Sequence, residues 1–114
     1  GYVALAVDLY GGKAATEPAD AEALMKGVFA DTAAAKTNLQ QAYAYLQDKA
    51  HASRIGVIGW CFGGGWSLQT ALMLPDKIAA AVMYYGRPVD DVAALSKLKM
   101  PLIGFFGEQD HGRG

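Results

Sequence analysis

The sequence is poor in cysteine, in blocks of like charge and in long apolar runs. Its single cysteine, Cys61, cannot close an internal disulfide, and one thiolate cannot build a zinc cluster. A lone cysteine suits a reducing compartment, so a cytoplasmic location is expected. The formal net charge is -1, with no basic stripe, which argues against nucleic acid and anionic membrane as partners. The longest apolar runs, such as residues 78–85, fall far short of the roughly 20 residues that a membrane helix needs. The chain opens Gly1-Tyr2-Val3-Ala4-Leu5, without a charged leader or a small-residue cleavage site, so no signal peptide is expected.

What is present reads as globular. The 114 residues are 53% hydrophobic and 18% charged, the size and composition of one small domain rather than a disordered chain. There is no initiator Met, and residues 2–7 already read as a buried strand. The other end stops at Asp110-His111-Gly112-Arg113-Gly114, in a turn with nothing to close a domain. Both ends predict an internal piece of something longer.

Four short apolar runs, residues 2–7, 54–59, 78–85 and 101–106, predict strands. They are continuous rather than alternating, which is the pattern of parallel strands covered on both faces. Helical patterns separate them. After a loop at residues 11–21, apolar residues recur at Leu24, Val28, Ala35, Leu39, Tyr43, Leu46 and Ala50, keeping one face apolar. Asp31 is a candidate N-cap, which would make this two helices rather than one. Residues 64–74, stopped by Pro75, and residues 91–98 read as further helices. Strand alternating with helix predicts an α/β fold with a mostly parallel sheet, flanking helices and right-handed crossovers.

The second run leads into Gly59-Trp60-Cys61-Phe62-Gly63-Gly64, followed at once by a helix. This is the G-x-nucleophile-x-G pattern with cysteine at its centre. A nucleophile lifted above a sheet must sit on a very tight turn, usually at positive φ. Residues two before and two after it crowd one another, so glycine is expected at Gly59 and Gly63. Gly64 and Gly65 let the helix start close to the sheet. The helix N-terminus favours an anionic sulfur at Cys61, and the Phe62 N–H points where an oxyanion would form. The competing reading is a buried, inert cysteine in a core turn. Phosphate-binding loops are excluded: Gly59 and Gly64 have Walker spacing, but Gly65 and Trp66 follow where Lys and Ser or Thr are needed, and no glycine set satisfies a dinucleotide fingerprint.

Residues 1–12, 54–64, 84–86 and 101–110 together resemble, in order and spacing, the dienelactone hydrolase family of α/β-hydrolases. The resemblance implies that residues 1–114 are part of one such domain, truncated at both ends. It implies hydrolysis of small-molecule esters or lactones by a Cys-His-Asp triad, without metal or cofactor, in a protein that is a monomer when whole. Cys61 would be the nucleophile, Phe62 N–H half the oxyanion hole, and Asp110 the acid that orients the histidine. Open α/β sheets place their sites at strand C-terminal ends, which supports Asp110 separately; the bland reading is an Asp in a Gly-rich turn.

The resemblance also implies what lies elsewhere. The catalytic histidine follows the acid by one more strand, so His111, beside Asp110, is not that residue, and His51 reads as a surface-loop residue. The second oxyanion donor would precede Gly1. The strand that neighbours residues 2–7 would be missing, so the 114 residues alone are expected to fold poorly and to be inactive. Where the family places an arginine, Gly11-Gly12-Lys13 stands; Lys13 is either a substrate-facing cation or a solvated loop residue. Tyr10, Tyr84 and Tyr85 either line a pocket or pack in the core. Two other functions fit an isolated elbow cysteine: a thiol-redox role, and a non-catalytic member that lost the histidine.

Overall fold

The computed structural model describes residues 1–110 and divides them between two compact units, the first Gly1–Ser53 and the second from Arg54 onward. The first unit holds α1 (Pro18–Ala30) and α2 (Thr32–Asp48). Pro18 opens α1, where a missing N–H is no loss. A single residue joins the helices. The Asp31 N–H closes α1 onto the Val28 carbonyl, at 3.2 Å, and its carboxylate accepts the Ala34 N–H at 3.1 Å to start α2. Two helices are therefore made from one apolar pattern by one capping residue. Asp31→Ala should destabilise this unit by about 1 kcal/mol, readable as loss of helical circular dichroism on heating.

The segment at residues 2–7 departs from its sequence pattern. Residues 1–8 form no strand, and Tyr2 and Val3 are exposed. Strand propensity becomes a strand only through ladder bonds to a neighbour, and this unit contains no second strand among the described residues.

The second unit runs β1 (Ile55–Trp60), α3 (Phe62–Met73), β2 (Ile78–Tyr84), α4 (Val92–Leu95) and β3 (Leu102–Phe105). The strands form one parallel sheet in the order β1-β2-β3. The fold class read from the alternation of strand and helix is the one observed. Helix α3 packs on β1 and β2. Trp66, Leu68 and Ala71 from the helix join Ile55, Ile78, Ala81 and Met83 from the strands in the buried core. Three glycines follow Phe62 at the start of α3, and glycine is about 1 kcal/mol worse than alanine in a helix interior, so burial rather than propensity places this helix. Its hydroxyls are absorbed locally: Ser67 Oγ donates at 2.7 Å to Gly64 O, and Thr70 Oγ1 at 2.7 Å to Trp66 O.

The sequence pattern also predicts strands covered on both faces, and here the structure differs. Neighbours in register share a face, so Ile58, Val82 and Ile103 form one row, and Trp60, Tyr84 and Phe105 the next. Ile58, Trp60, Ile103 and Phe105 are exposed. The aromatic row stacks on itself instead, with ring centroids 5.3 Å apart for Trp60 and Tyr84 and 4.8 Å for Tyr84 and Phe105. The helix predicted at residues 91–98 is a single turn, started by the Asp91 carboxylate accepting from the Ala93 and Ala94 N–H groups.

Candidate active site

Strand β1 delivers the chain to Cys61 at the C-terminal end of the sheet, and α3 begins at the next residue. Cys61 has φ 53° and ψ -116°, a conformation that L-residues rarely adopt. Two backbone bonds hold it there. Its N–H donates to Tyr84 O at 2.9 Å, and its carbonyl accepts the Gly65 N–H at 3.2 Å. The thiol is exposed, so a cysteine buried in a core turn does not describe this residue. Phe62 opens α3, which directs its N–H out of the helix N-terminus beside Cys61. Its ring meets Trp66 edge-on, with centroids 6.5 Å apart.

The two glycines that flank the nucleophile position play unequal parts. A Cβ on Gly59 would run into the Gly63 carbonyl and lie 2.8 Å from Gly64 N. A Cβ on Gly63 would meet nothing within 4 Å. The symmetric crowding expected of Gly59 and Gly63 is thus corrected: the turn closes Gly59 against the backbone at 63, while the Gly63 α-hydrogen faces open space. Gly64 is the second crowded position, since a Cβ there would lie 2.9 Å from Tyr84 O and 3.0 Å from Gly86 Cα. Its close approach to the sheet is as the sequence predicts. Gly65 is not crowded, as its Cβ would sit at 3.7 Å from Arg87 N.

Asp110 lies five residues past β3, in a turn in which its N–H donates to Gly107 O at 3.1 Å. It is half-buried. Cys61 and Asp110 therefore both follow C-terminal ends of strands in the same parallel sheet. His111 lies outside the described residues. His51, at φ 53° after α2, is exposed, as expected of a surface loop.

Residues 8–13 are organised by a residue whose role the sequence did not reveal. The Asp8 carboxylate accepts from the Tyr10 N–H at 2.8 Å and the Gly12 N–H at 2.6 Å, across Gly11 and Gly12 at φ 63° and 80°. An Asp shortly before a Gly-Gly pair, the pattern of a side chain that caps its own turn, was the available signal. Asn38 Nδ2 donates to Asp8 O at 2.6 Å and ties this loop to α2. Tyr10 and Lys13 line an open cavity of 410 Å³ in the first unit, with Leu24, Val28 and Asn38. Tyr84 belongs to the stacked row of the sheet, and Tyr85 is half exposed. Among the described residues no cluster of His, Cys, Asp and Glu is arranged to hold a metal ion, and no helix is long and apolar enough to cross a membrane.

A parallel sheet that passes a candidate nucleophile through a strand–turn–helix elbow is the arrangement of the α/β-hydrolases. The chain belongs to the dienelactone hydrolase family, whose family model it matches over residues 1–113. It is 34% identical over 113 residues to the protein named usf of Aquifex pyrophilus, covering 96% of this chain and 49% of that one. It is 27% identical, with the same two coverages, to a putative carboxymethylenebutenolidase of Aquifex aeolicus. A carboxymethylenebutenolidase homolog of Mus musculus is 30% identical over 112 residues, covering 96% of this chain and 45% of the relative. The chain thus spans about half the length of the curated relatives it matches. No solved structure matches it significantly.

Proposed function

We propose that the protein to which these residues belong hydrolyses ester or lactone bonds of small molecules, with Cys61 as the nucleophile. The observation that carries this reading is the exposed Cys61 at φ 53°, the N-cap residue of α3. Family membership supports hydrolysis, and the carboxymethylenebutenolidase names of relatives support a lactone-like substrate. The histidine takes the Cys61 thiol proton as the sulfur forms a bond to the carbonyl carbon, and the carbonyl electron pair moves to oxygen, where the Phe62 N–H stabilises it. As the tetrahedral species collapses, the carbon–oxygen bond to the alcohol breaks and the alcohol leaves with a proton from histidine. Water, deprotonated by the same histidine, then cleaves the thioester and releases the acid and the thiol.

Asp110 orients that histidine. In this proposal the histidine, like the second oxyanion donor, comes from the part of the relatives' length that this chain does not span, and residues 1–114 are one portion of an α/β-hydrolase domain. The protein works without metal or cofactor, as a cytoplasmic monomer. The 114 residues alone are inactive for want of the histidine.

The test is incubation of the whole protein with an activated ester such as a p-nitrophenyl acetate, quenched early and examined by mass spectrometry. Acetyl mass on the peptide containing Cys61 is expected, together with steady release of acetate. Ester cleavage with no acyl mass on Cys61 would sink the nucleophile assignment. Consumption of peroxide without ester cleavage would replace it with the thiol-redox reading. Asp110→Asn is expected to lower kcat by on the order of a hundredfold or more, by leaving the histidine in the wrong tautomer. An unchanged kcat would remove Asp110 from the site.

A further inference from the structure

Three constraints fall on consecutive residues just after β2. The Tyr84 carbonyl accepts the Cys61 N–H at 2.9 Å. Tyr85, at φ 40°, turns the chain and donates its N–H to Phe105 O at 2.6 Å. Gly86 then lies flat on the first turn of α3: a Cβ there would strike Gly65 N and come within 2.5 Å of Gly64 C and 2.8 Å of Gly64 Cα. The turn therefore grips the elbow from both sides, by a hydrogen bond before it and by backbone contact after it.

We propose that the turn at residues 84–86 is a brace that sets the position of the nucleophile. Gly86 is a positioning residue, acting on Cys61 through the backbone of Gly64 and Gly65, and Tyr85 acts through its left-handed backbone rather than its phenol. The inference rests on the reading of Cys61 as nucleophile and adds the device that holds it. A rare conformation such as that of Cys61 costs about 1–3 kcal/mol and persists only where its surroundings over-determine it. The bond to Tyr84 alone fixes one side of the elbow. The other side would be free to slide with the start of α3, whose three glycines give it little stiffness of its own. Contact with Gly86 removes that freedom. Tyr85 makes the contact possible, because its φ carries the chain from the end of β2 back onto the helix.

The test uses the whole protein and two readouts: the rate of Cys61 alkylation by iodoacetamide, and kcat and KM on an activated ester. Gly86→Ala is expected to lower kcat by on the order of a hundredfold, the effect of displacing a reacting group by about an ångström, with KM unchanged. Alkylation should slow with it. Tyr85→Asn should keep the parental alkylation rate, since asparagine accepts positive φ, whereas β-branched Tyr85→Val should slow it. A folded Gly86→Ala variant with parental alkylation and kcat would overturn the brace, as would equal alkylation rates in the two Tyr85 variants. If Gly86→Ala does not fold by circular dichroism, the Tyr85 pair decides the question. If even the parent cleaves no ester, the nucleophile reading fails, and the alkylation rates still judge the brace by themselves.

Discussion

Cys61→Ala should abolish thioester formation and lower kcat on activated esters by at least about 10⁴-fold in the whole protein, with the fold intact. The size of the effect follows from the role. No other thiol exists in these 114 residues to take over, and the oxyanion donors and bound water that remain supply only the residual rate. Stability should barely change. The side chain is exposed, so its removal leaves no core cavity. Alanine also inherits the φ of 53° at a similar cost, because both residues carry a Cβ. Urea unfolding of parent and variant should therefore superimpose while turnover disappears. Turnover that survives would mean that another group attacks the ester. Loss of both turnover and fold would mean that Cys61 is needed to build the turn.

Gly59→Ala is expected to have the opposite signature, failing in folding before chemistry. The new Cβ would occupy the place of the Gly63 carbonyl and press on Gly64 N, and both are backbone atoms that no rotamer change can move aside. The elbow would open or β1 would withdraw from the start of α3, at a cost of about 3 kcal/mol or more. Gly63→Ala is the informative partner. Its Cβ enters open space, and alanine is the better helix former by up to about 1 kcal/mol, so its stability should match or exceed the parent's. Urea midpoints of the two variants test the asymmetry. Equal losses would restore the symmetric crowding that the motif alone suggests. The same logic separates Gly64, crowded by Tyr84 and Gly86, from Gly65, which is not.

Much of the fold could be read from local pattern. Continuous apolar runs located β1, β2 and β3 to within one or two residues, because strands in a parallel sheet draw on propensity and burial that act along the chain. The break between α1 and α2 was visible in Asp31, since a cap acts over three residues. The first apolar run misled for the complementary reason. Residues 2–7 have the composition of a strand, but a ladder needs a partner from elsewhere, and composition says nothing of whether one is at hand. The same limit hid the exposed row of Ile58 and Ile103, which are apolar whether or not another layer covers them.

At the site the division is sharper. The sequence by itself determined the elbow: the strand, the tight turn, Cys61 at its apex and the helix behind it all lie within residues 55–73, so their geometry is a matter of neighbours along the chain. Only the tertiary structure decided which glycines the elbow needs and what holds it. Gly59 is fixed by the backbone at Gly63, and Gly64 by the turn at residues 84–86, far along the chain, where Tyr84 bonds Cys61 and Gly86 rests on the helix. Such contacts depend on the spacing between whole strands and helices. A motif of six residues carries no record of that distance, and so could place the cysteine without showing what keeps it in place.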